Sequence, residues 1–182
     1  MMIEPQVIQL RNGQTCTLRS PKKDDAEALV EFLKVTAGET DYLLRSPEEI
    51  TTTIEEEEIF IKGINNATDS LKVVAEIDGE IVGRCCYSAV GDRMRNKHRM
   101  QLSIAVYKRF WGCGVGTALM RKIMEKAKEF GFERAELEVV SRNWRAITLY
   151  KKLGFEQIGC NPRAMKYEDG SYDSLIVMVK EL

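Results

Sequence analysis

The chain has 182 residues, 44% hydrophobic and 30% charged, which is typical of a globular domain with a substantial core. Its 27 basic and 28 acidic side chains leave a net charge of −1, which argues against broad surfaces for nucleic acid or anionic membranes. Five cysteines without a C-x-x-C pair and a single histidine predict reduced thiols in the cytoplasm and no His-rich metal site.

No secretory signal is expected at the start of the chain, because "MMIEPQVIQL" has neither a basic segment nor a long apolar core. No apolar run approaches the roughly 18 residues of a membrane-spanning helix.

The first half of the chain predicts a strand, two helices and a hairpin. A Ser-Pro pair at 20–21 and a capping box at 46–49 are start signals for the helices. An Asp-Gly pair at 78–79 between two β-rich runs is a strong hairpin signal. The predicted elements are a strand over 14–19, helices over about 21–36 and 46–61, and hairpin strands over 71–77 and 80–90.

The second half predicts alternating strands and helices followed by a second hairpin. Gly131 and Gly154 follow the two helical patterns and are expected to end them. The predicted elements are a strand over 99–107, a helix over 115–130, a strand over 134–140, a helix over 143–153, and strands over 155–167 and 172–182. Antiparallel hairpins flanking one βαβ crossover predict a mixed α/β fold, and we expect one domain over residues 1–182.

The segment "RFWGCGVGTALM" places Gly112, Gly114 and Gly116 where a strand turns into a helix. Such a turn exposes main-chain N–H groups that bind anions, most often phosphates. The P-loop pattern fails because no Gly-Lys-Ser/Thr follows, and Thr117 stands where the Rossmann pattern needs a third small residue. A diphosphate loop for coenzyme A and a ligand-free packing turn both remain open at this point.

A second motif, "NWRAITLYKKLGF", follows the next predicted strand. Ala146, Leu149, Tyr150 and Leu153 share one helix face, after an Asn suited to begin the helix. An amphipathic helix alone does not need Tyr150 in its apolar stripe, because a buried phenol requires a polar partner.

The two motifs together, with the βαβ unit between them, resemble the GNAT superfamily of acyl-CoA-dependent N-acyltransferases over about residues 100–160. The resemblance implies one mostly antiparallel sheet of six to seven strands, with helices on both faces. It also implies a central parallel pair of strands, ending near 106 and 140, that splay apart to admit acetyl-CoA.

The resemblance also implies the residues that contact the cofactor, through strand backbone, glycine-turn amides and the second motif. They are Ile104, Ala105, Val106, Trp111, Gly112, Cys113, Gly114, Val115, Gly116, Thr117, Asn143, Ala146 and Tyr150. One departure is that Trp111 stands where the family usually has Gln or Arg, if Gly114 and Gly116 are the family's glycines. In the alternative register Arg109 fits, and Gly116 is then extra.

The resemblance implies acetyl transfer to a primary amine, with Tyr150 beside the thioester sulfur and often a Glu as general base. Among the carboxylates of this sequence, Glu138 on the strand before the second motif is the expected base. Glu39 and Asp41 are the other candidate bases. Residues 31–60 carry nine acidic and two basic side chains, and the resemblance places them along the acceptor cleft. A small cationic molecule or a peptide is therefore the expected acceptor. Acetylation of a protein N-terminus, or acyl-CoA sensing without catalysis, are alternatives, and a homodimer is possible.

Overall fold

The structure, a computed structural model, describes residues 1–182 as eight strands and four α-helices. The strands are β1 (Gln6–Gln9), β2 (Thr15–Arg19), β3 (Ser70–Ile77), β4 (Glu80–Ala89), β5 (Arg99–Val106), β6 (Arg134–Val140), β7 (Glu156–Lys166) and β8 (Tyr172–Glu181). The helices are α1 (Ala26–Glu39), α2 (Ile54–Asn66), α3 (Val115–Glu129) and α4 (Trp144–Lys152). None of the helices is long and apolar enough to cross a membrane.

All eight strands form one sheet in the order β1-β2-β3-β4-β5-β6-β8-β7. Every neighbouring pair is antiparallel except β5 and β6, which are parallel. The predicted mixed α/β fold with a central parallel pair is thus confirmed. The sheet has one strand more than the upper prediction, because β1 pairs with β2 at the edge of the sheet.

Helices α1 and α3 pack on opposite faces of the sheet. On one face α3 approaches β4 closely, since a Cβ on Gly83 would lie 3.0 Å from Leu119. On the other face Phe32 of α1 packs against Tyr107 just beyond β5, with the two rings tilted by 47° and their centroids 4.7 Å apart. These contacts bury the apolar sides of both helices and fix the central strands between them.

Two predicted helix starts are wrong. The first helix begins at Ala26 after a 3-10 turn at Lys23–Asp25, because the Ser20 hydroxyl accepts from the Ile3 amide, 2.9 Å away, instead of capping. The second predicted helix is two pieces, since the capping box at Ser46 closes only a 3-10 turn. The α2 helix has its own capping box, from Thr53 to Glu56.

The remaining predicted elements lie within two residues of the observed ones. The hairpin between β3 and β4 turns at Asp78 and Gly79, both with positive φ, as in a type I′ turn. The helices predicted from the glycine segment and the second motif correspond to α3 and α4.

Candidate active site

A wedge opens where the two parallel strands stop pairing. Arg99, Met100 and Gln101 of β5 pair with residues 134–136 of β6. Beyond Gln101 the ladder ends, although the strands run on to Val106 and Val140. Each strand keeps its antiparallel partner on the other side, so the sheet splits only here.

The wedge exposes main-chain polar groups from both strands. At the two ends of the β4–β5 ladder, the Val90 amide donates to the Arg99 carbonyl and the Tyr107 amide donates to the Val82 carbonyl. These two bonds determine which residues of β5 direct their main-chain groups toward β4 and which direct them away. The resulting alternation directs the N–H and C=O of Ile104 and Val106 away from β4, into the wedge, and those of Ala105 toward β4. The backbone contact expected at Ala105 is therefore not available, whereas those at Ile104 and Val106 face the opening.

The same reasoning applies to β6. Ser141 donates its amide to Ser174, 2.9 Å away, at the end of the β6–β8 ladder. Alternation then directs the main-chain groups of Glu138 into the wedge. Two strands thus present unpaired donors and acceptors to the same opening.

The closed end of the wedge is held by an ion pair between the two strands. Both guanidinium nitrogens Nε and Nη2 of Arg99 donate to Glu136, at 2.5 and 2.8 Å. Arg134 lies 3.1 Å from the same carboxylate. Hydrogen bonding from Arg99 lowers the pKa of Glu136 despite partial burial of the carboxyl group, so it is ionised at neutral pH.

A cavity of about 770 Å³ fills the wedge and extends to the glycine turn. All but two of the predicted site residues line it: Ile104, Ala105, Val106, Trp111, Gly112, Gly114, Gly116, Thr117, Glu138, Asn143, Ala146 and Tyr150. The two that do not are Cys113 and Val115. The Val115 side chain is fully buried in the core, and the Cys113 amide donates to Phe110 at 3.4 Å.

The glycine turn leaves a row of amides without main-chain partners, since the first hydrogen bond of α3 runs from Ala118 to Gly114. Gly112 and Gly114 have φ of +84° and +104°, a region that favours glycine. Gly116 is favoured for a different reason, because a Cβ there would lie in tight contact with the Leu149 side chain of α4, 3.3 Å away. The unpartnered amides are those of Gly112, Gly114, Val115, Gly116 and Thr117.

Trp111 and Asn143 carry structural contacts in addition to lining the cavity. The Trp111 indole N–H donates to the Val106 carbonyl at 2.8 Å, so it partners one strand-end group that faces the wedge. The Asn143 side-chain oxygen accepts from the Ala146 amide at 3.1 Å and caps α4. The start of α4 is thereby fixed at the mouth of the wedge.

Tyr150 projects from α4 to the cavity and is 7% exposed. Burial, with a smaller contribution from the neighbouring Cys85, raises the pKa of its phenol, and no hydrogen bond contributes to that shift. The hydroxyl is therefore protonated at neutral pH, and its donor capacity is not used by another protein group.

Of the three carboxylates considered as the general base, two line the cavity and one does not. Glu138 lines the cavity and is exposed, whereas Glu39 lines it but accepts from the Lys108 amide at 2.7 Å. Asp41 does not line the cavity. The acids of α2 and its preceding turn do not line it either, so the acidic wall expected from residues 31–60 is wrong apart from Glu39.

Several cavity residues were not predicted. Arg11 comes from the β1–β2 turn, which carries no periodic signal, and Arg145 lies inside the second motif, whose charge pattern was the available clue. An apolar group lines the cavity from the segment after α1 and from the last two strands: Tyr42, Leu43, Leu44, Met165 and Leu175.

Residues 38–155, well over half of the chain, match the profile of the Acetyltransferase (GNAT) family. The chain belongs to this family of GNAT acetyltransferases. A GNAT family acetyltransferase from Streptococcus pneumoniae superposes with a TM-score of 0.87 at 32% identity, over 92% of this chain and 99% of the other.

Two curated relatives match a shorter part of this GNAT chain. An N-alpha-acetyltransferase of Sulfurisphaera tokodaii is 39% identical over 93 residues, which are 47% of this chain and 56% of the relative. The L-amino acid N-acetyltransferase AaaT of Escherichia coli is 40% identical over 86 residues, 47% of this chain and 52% of the relative. The chain thus matches just over half the length of these two proteins.

The GNAT family implies an acyl-CoA ligand, and the residues present fit one. The unpartnered amides of the glycine turn suit a diphosphate at the positive end of α3. The main-chain groups of Ile104 and Glu138 suit the amides of a pantetheine arm in the wedge. Both sets of groups line the same cavity.

Proposed function

We propose that the protein, acting as one domain over residues 1–182, transfers acetyl from acetyl-CoA to a primary amine. One observation carries the proposal: a single cavity is lined by unpaired main-chain groups of β5 and β6, by the unpartnered amides of the glycine turn and by the unpartnered phenol of Tyr150. When bound, acetyl-CoA supplies an acetyl group activated as a thioester, which an amine nitrogen attacks with release of the thiol.

The glycine turn, β5 and β6 bind and orient this donor. The amides of Gly112, Gly114 and the first turn of α3 hold the diphosphate. The main-chain groups of Ile104 and Glu138 hold the pantetheine arm along the wedge. Because both ends are fixed by backbone, the thioester is held in place for attack, which supplies much of the rate.

Tyr150 is the proposed hydrogen-bond donor to the leaving sulfur. Its raised pKa keeps the proton on the phenolic oxygen, so the side chain stays neutral while negative charge develops on the leaving group. Complete proton transfer from an ordinary phenol near pKa 10 to a thiolate near 8.5 is already uphill by roughly 2 kcal/mol, and the raised pKa of Tyr150 makes it less favourable still. Hydrogen bonding with late transfer is therefore the role we assign.

Glu138 is the proposed general base, because it lines the cavity and its main-chain groups face the wedge. The demand on a base depends on the acceptor. Deprotonating a lysine-like amine at pH 7 costs roughly 4.6 kcal/mol, whereas an α-amino group near pKa 7.8 costs only about 1 kcal/mol. A single exposed carboxylate is therefore a more suitable base for an α-amino group than for a lysine-like amine.

The acceptor we favour is the α-amine of an amino acid or a peptide. Charged residues along the cavity are Arg11, Arg145 and Lys152 against Glu39 and Glu138, which gives no acidic surface for a polyamine. The apolar residues after α1 suit an aliphatic side chain next to the amine. Relatives named as an N-alpha-acetyltransferase and an L-amino acid N-acetyltransferase support an α-amine.

The test is an assay of free thiol released from acetyl-CoA across a panel of amines. We expect release above background with amino acids and short peptides, and weaker release with spermidine and an aminoglycoside. Preference for spermidine supports the small cationic acceptor instead. Coenzyme A binding with background release across the whole panel contradicts catalysis and supports an acyl-CoA sensor.

A further inference from the structure

The β1–β2 turn rests on the glycine turn. The main-chain N–H of Arg11 donates to the Cys113 carbonyl at 3.3 Å. The Cγ atom of Arg11 lies 3.7 Å from the position that a Cβ on Gly114 would occupy. This contact joins the first hairpin of the sheet to the segment whose amides are bare, although Arg11 lies outside the residues that match the family profile.

The Arg11 side chain is exposed, lines the cavity and forms no ion pair. Of the other cations that flank the turn, Arg109 pairs with Glu80 and Lys122 with Glu125. Lys108 and Arg121 form no ion pair, but neither lines the cavity. Leaving an arginine without a carboxylate beside a row of amide donors concentrates positive charge at one point of the cavity. Such an arrangement favours an anion with several oxygens.

A second free guanidinium stands on the other side of the turn. Arg145 of α4 lies over the Trp111 ring, 5.4 Å from its centroid. Its Nη1 atom is 3.6 Å from the position of a Cβ on Gly112. Arg11 and Arg145 therefore approach different glycines of the same turn, from the first hairpin and from the last helix.

We propose that Arg11 binds the diphosphate of coenzyme A, so that the N-terminal hairpin and Arg145 clamp this group on the glycine turn from two sides. The proposal rests on the proposed function, since it needs an acyl-CoA ligand in the cavity. A guanidinium donates two parallel hydrogen bonds to phosphate oxygens, which a single ammonium does not reproduce. The role does not depend on the acceptor amine.

The test measures binding of three ligands by titration calorimetry: coenzyme A, 3′-dephospho-coenzyme A, and pantetheine, which has no phosphate. The variants are Arg11→Met and, as a matched control, Arg95→Met, which removes the same charge from an exposed loop outside the cavity. Arg11→Met keeps the main-chain bond to Cys113, so the hairpin stays docked, and equal melting temperatures of the free variants check this.

We expect Arg11→Met to weaken both nucleotide ligands by the same factor, about tenfold, and to leave pantetheine unchanged. The Arg95→Met control is expected to match the wild type. Loss confined to coenzyme A means a contact with the 3′-phosphate and overturns the diphosphate assignment. Equal affinities, or an equal loss for pantetheine, overturn the proposal as well. Failure of the wild type to bind coenzyme A overturns the proposed function itself, which is a different result.

Discussion

The β3–β4 ladder and the β5–β6 wedge are two nearby parts of one sheet that differ in how many of their main-chain groups are hydrogen-bonded between the strands. β3 pairs with β4 along its whole length, and the buried Lys72 amine is bound by Glu57 at 2.6 Å. β5 pairs with β6 at three residues and then leaves main-chain groups free. The ladder pairs the main chain of β3 along its whole length and contributes stability, whereas the wedge leaves main-chain groups available for a ligand.

The largest effect is expected in the ladder. The side chains of Lys72 and Glu57 are 4% and 6% exposed, so Lys72→Met leaves a buried carboxylate without its partner. We expect a loss of about 3–5 kcal/mol in the free energy of unfolding, measured by urea denaturation. The double variant Lys72→Met/Glu57→Leu is expected to recover most of it. A stable single variant with weakened coenzyme A binding contradicts the division between ladder and wedge.

The Tyr150→Phe variant tests whether a polar group in the wedge serves the reaction and not stability. Removal of the unpartnered phenol donor is expected to lower kcat about 100-fold, while the free energy of unfolding and the coenzyme A affinity stay near the wild-type values. Steady-state kinetics with calorimetry on the same preparation checks this. Unchanged kcat removes Tyr150 from the chemistry and makes it a packing residue.

Gly114→Ala tests whether the turn serves binding or only folding. An alanine at φ +104° is strained by about 1–2 kcal/mol, and the same strain is expected at Gly131, where φ is +86° and no neighbour is close. Both variants are expected to lose stability. Only Gly114→Ala is expected to weaken coenzyme A binding. Equal affinities for the two variants contradict a role of the turn in holding the diphosphate.

Glu136→Gln probes the closed end of the wedge and has the smallest expected effect. Because the pKa of Glu136 is lowered in the folded protein, its contribution to stability is present above the ordinary glutamate pKa and is lost as pH falls through the folded value. We expect the variant to lose about 1 kcal/mol at pH 7 and to match the wild type at an acidic pH below the folded pKa, where Glu136 is protonated in both states. Urea midpoints at both pH values check this, and a deficit that persists in acid contradicts the ion-pair account.

The sequence predicted the two helices beside the wedge, but not the cavity residues that come from other parts of the chain. The glycine turn and the second motif are contiguous, so their spacing predicted α3 and α4, and the resemblance of the two motifs to the family pointed to Tyr150. Arg11 and the apolar residues after α1 come from distant segments, and only the sheet order brings them to the cavity.

Local signals failed where tertiary contacts competed for the same group. Ser20 was predicted to cap a helix, yet its hydroxyl binds the Ile3 amide. The many acids of α2 read as one surface in sequence, but Glu57 is buried against Lys72 and Glu56 caps its own helix. The partners Ile3 and Lys72 are distant in sequence from Ser20 and Glu57, and only the fold brings them together.

The central claim is that bare amides of the glycine turn and the open end of β5 bind one acyl-CoA. A crystal structure of the protein with coenzyme A tests it most directly. We predict diphosphate oxygens within about 3 Å of the Gly114 and Gly116 amides, and the pantetheine arm along Ile104. Coenzyme A bound elsewhere, with the Gly114 and Gly116 amides facing solvent, would contradict the account.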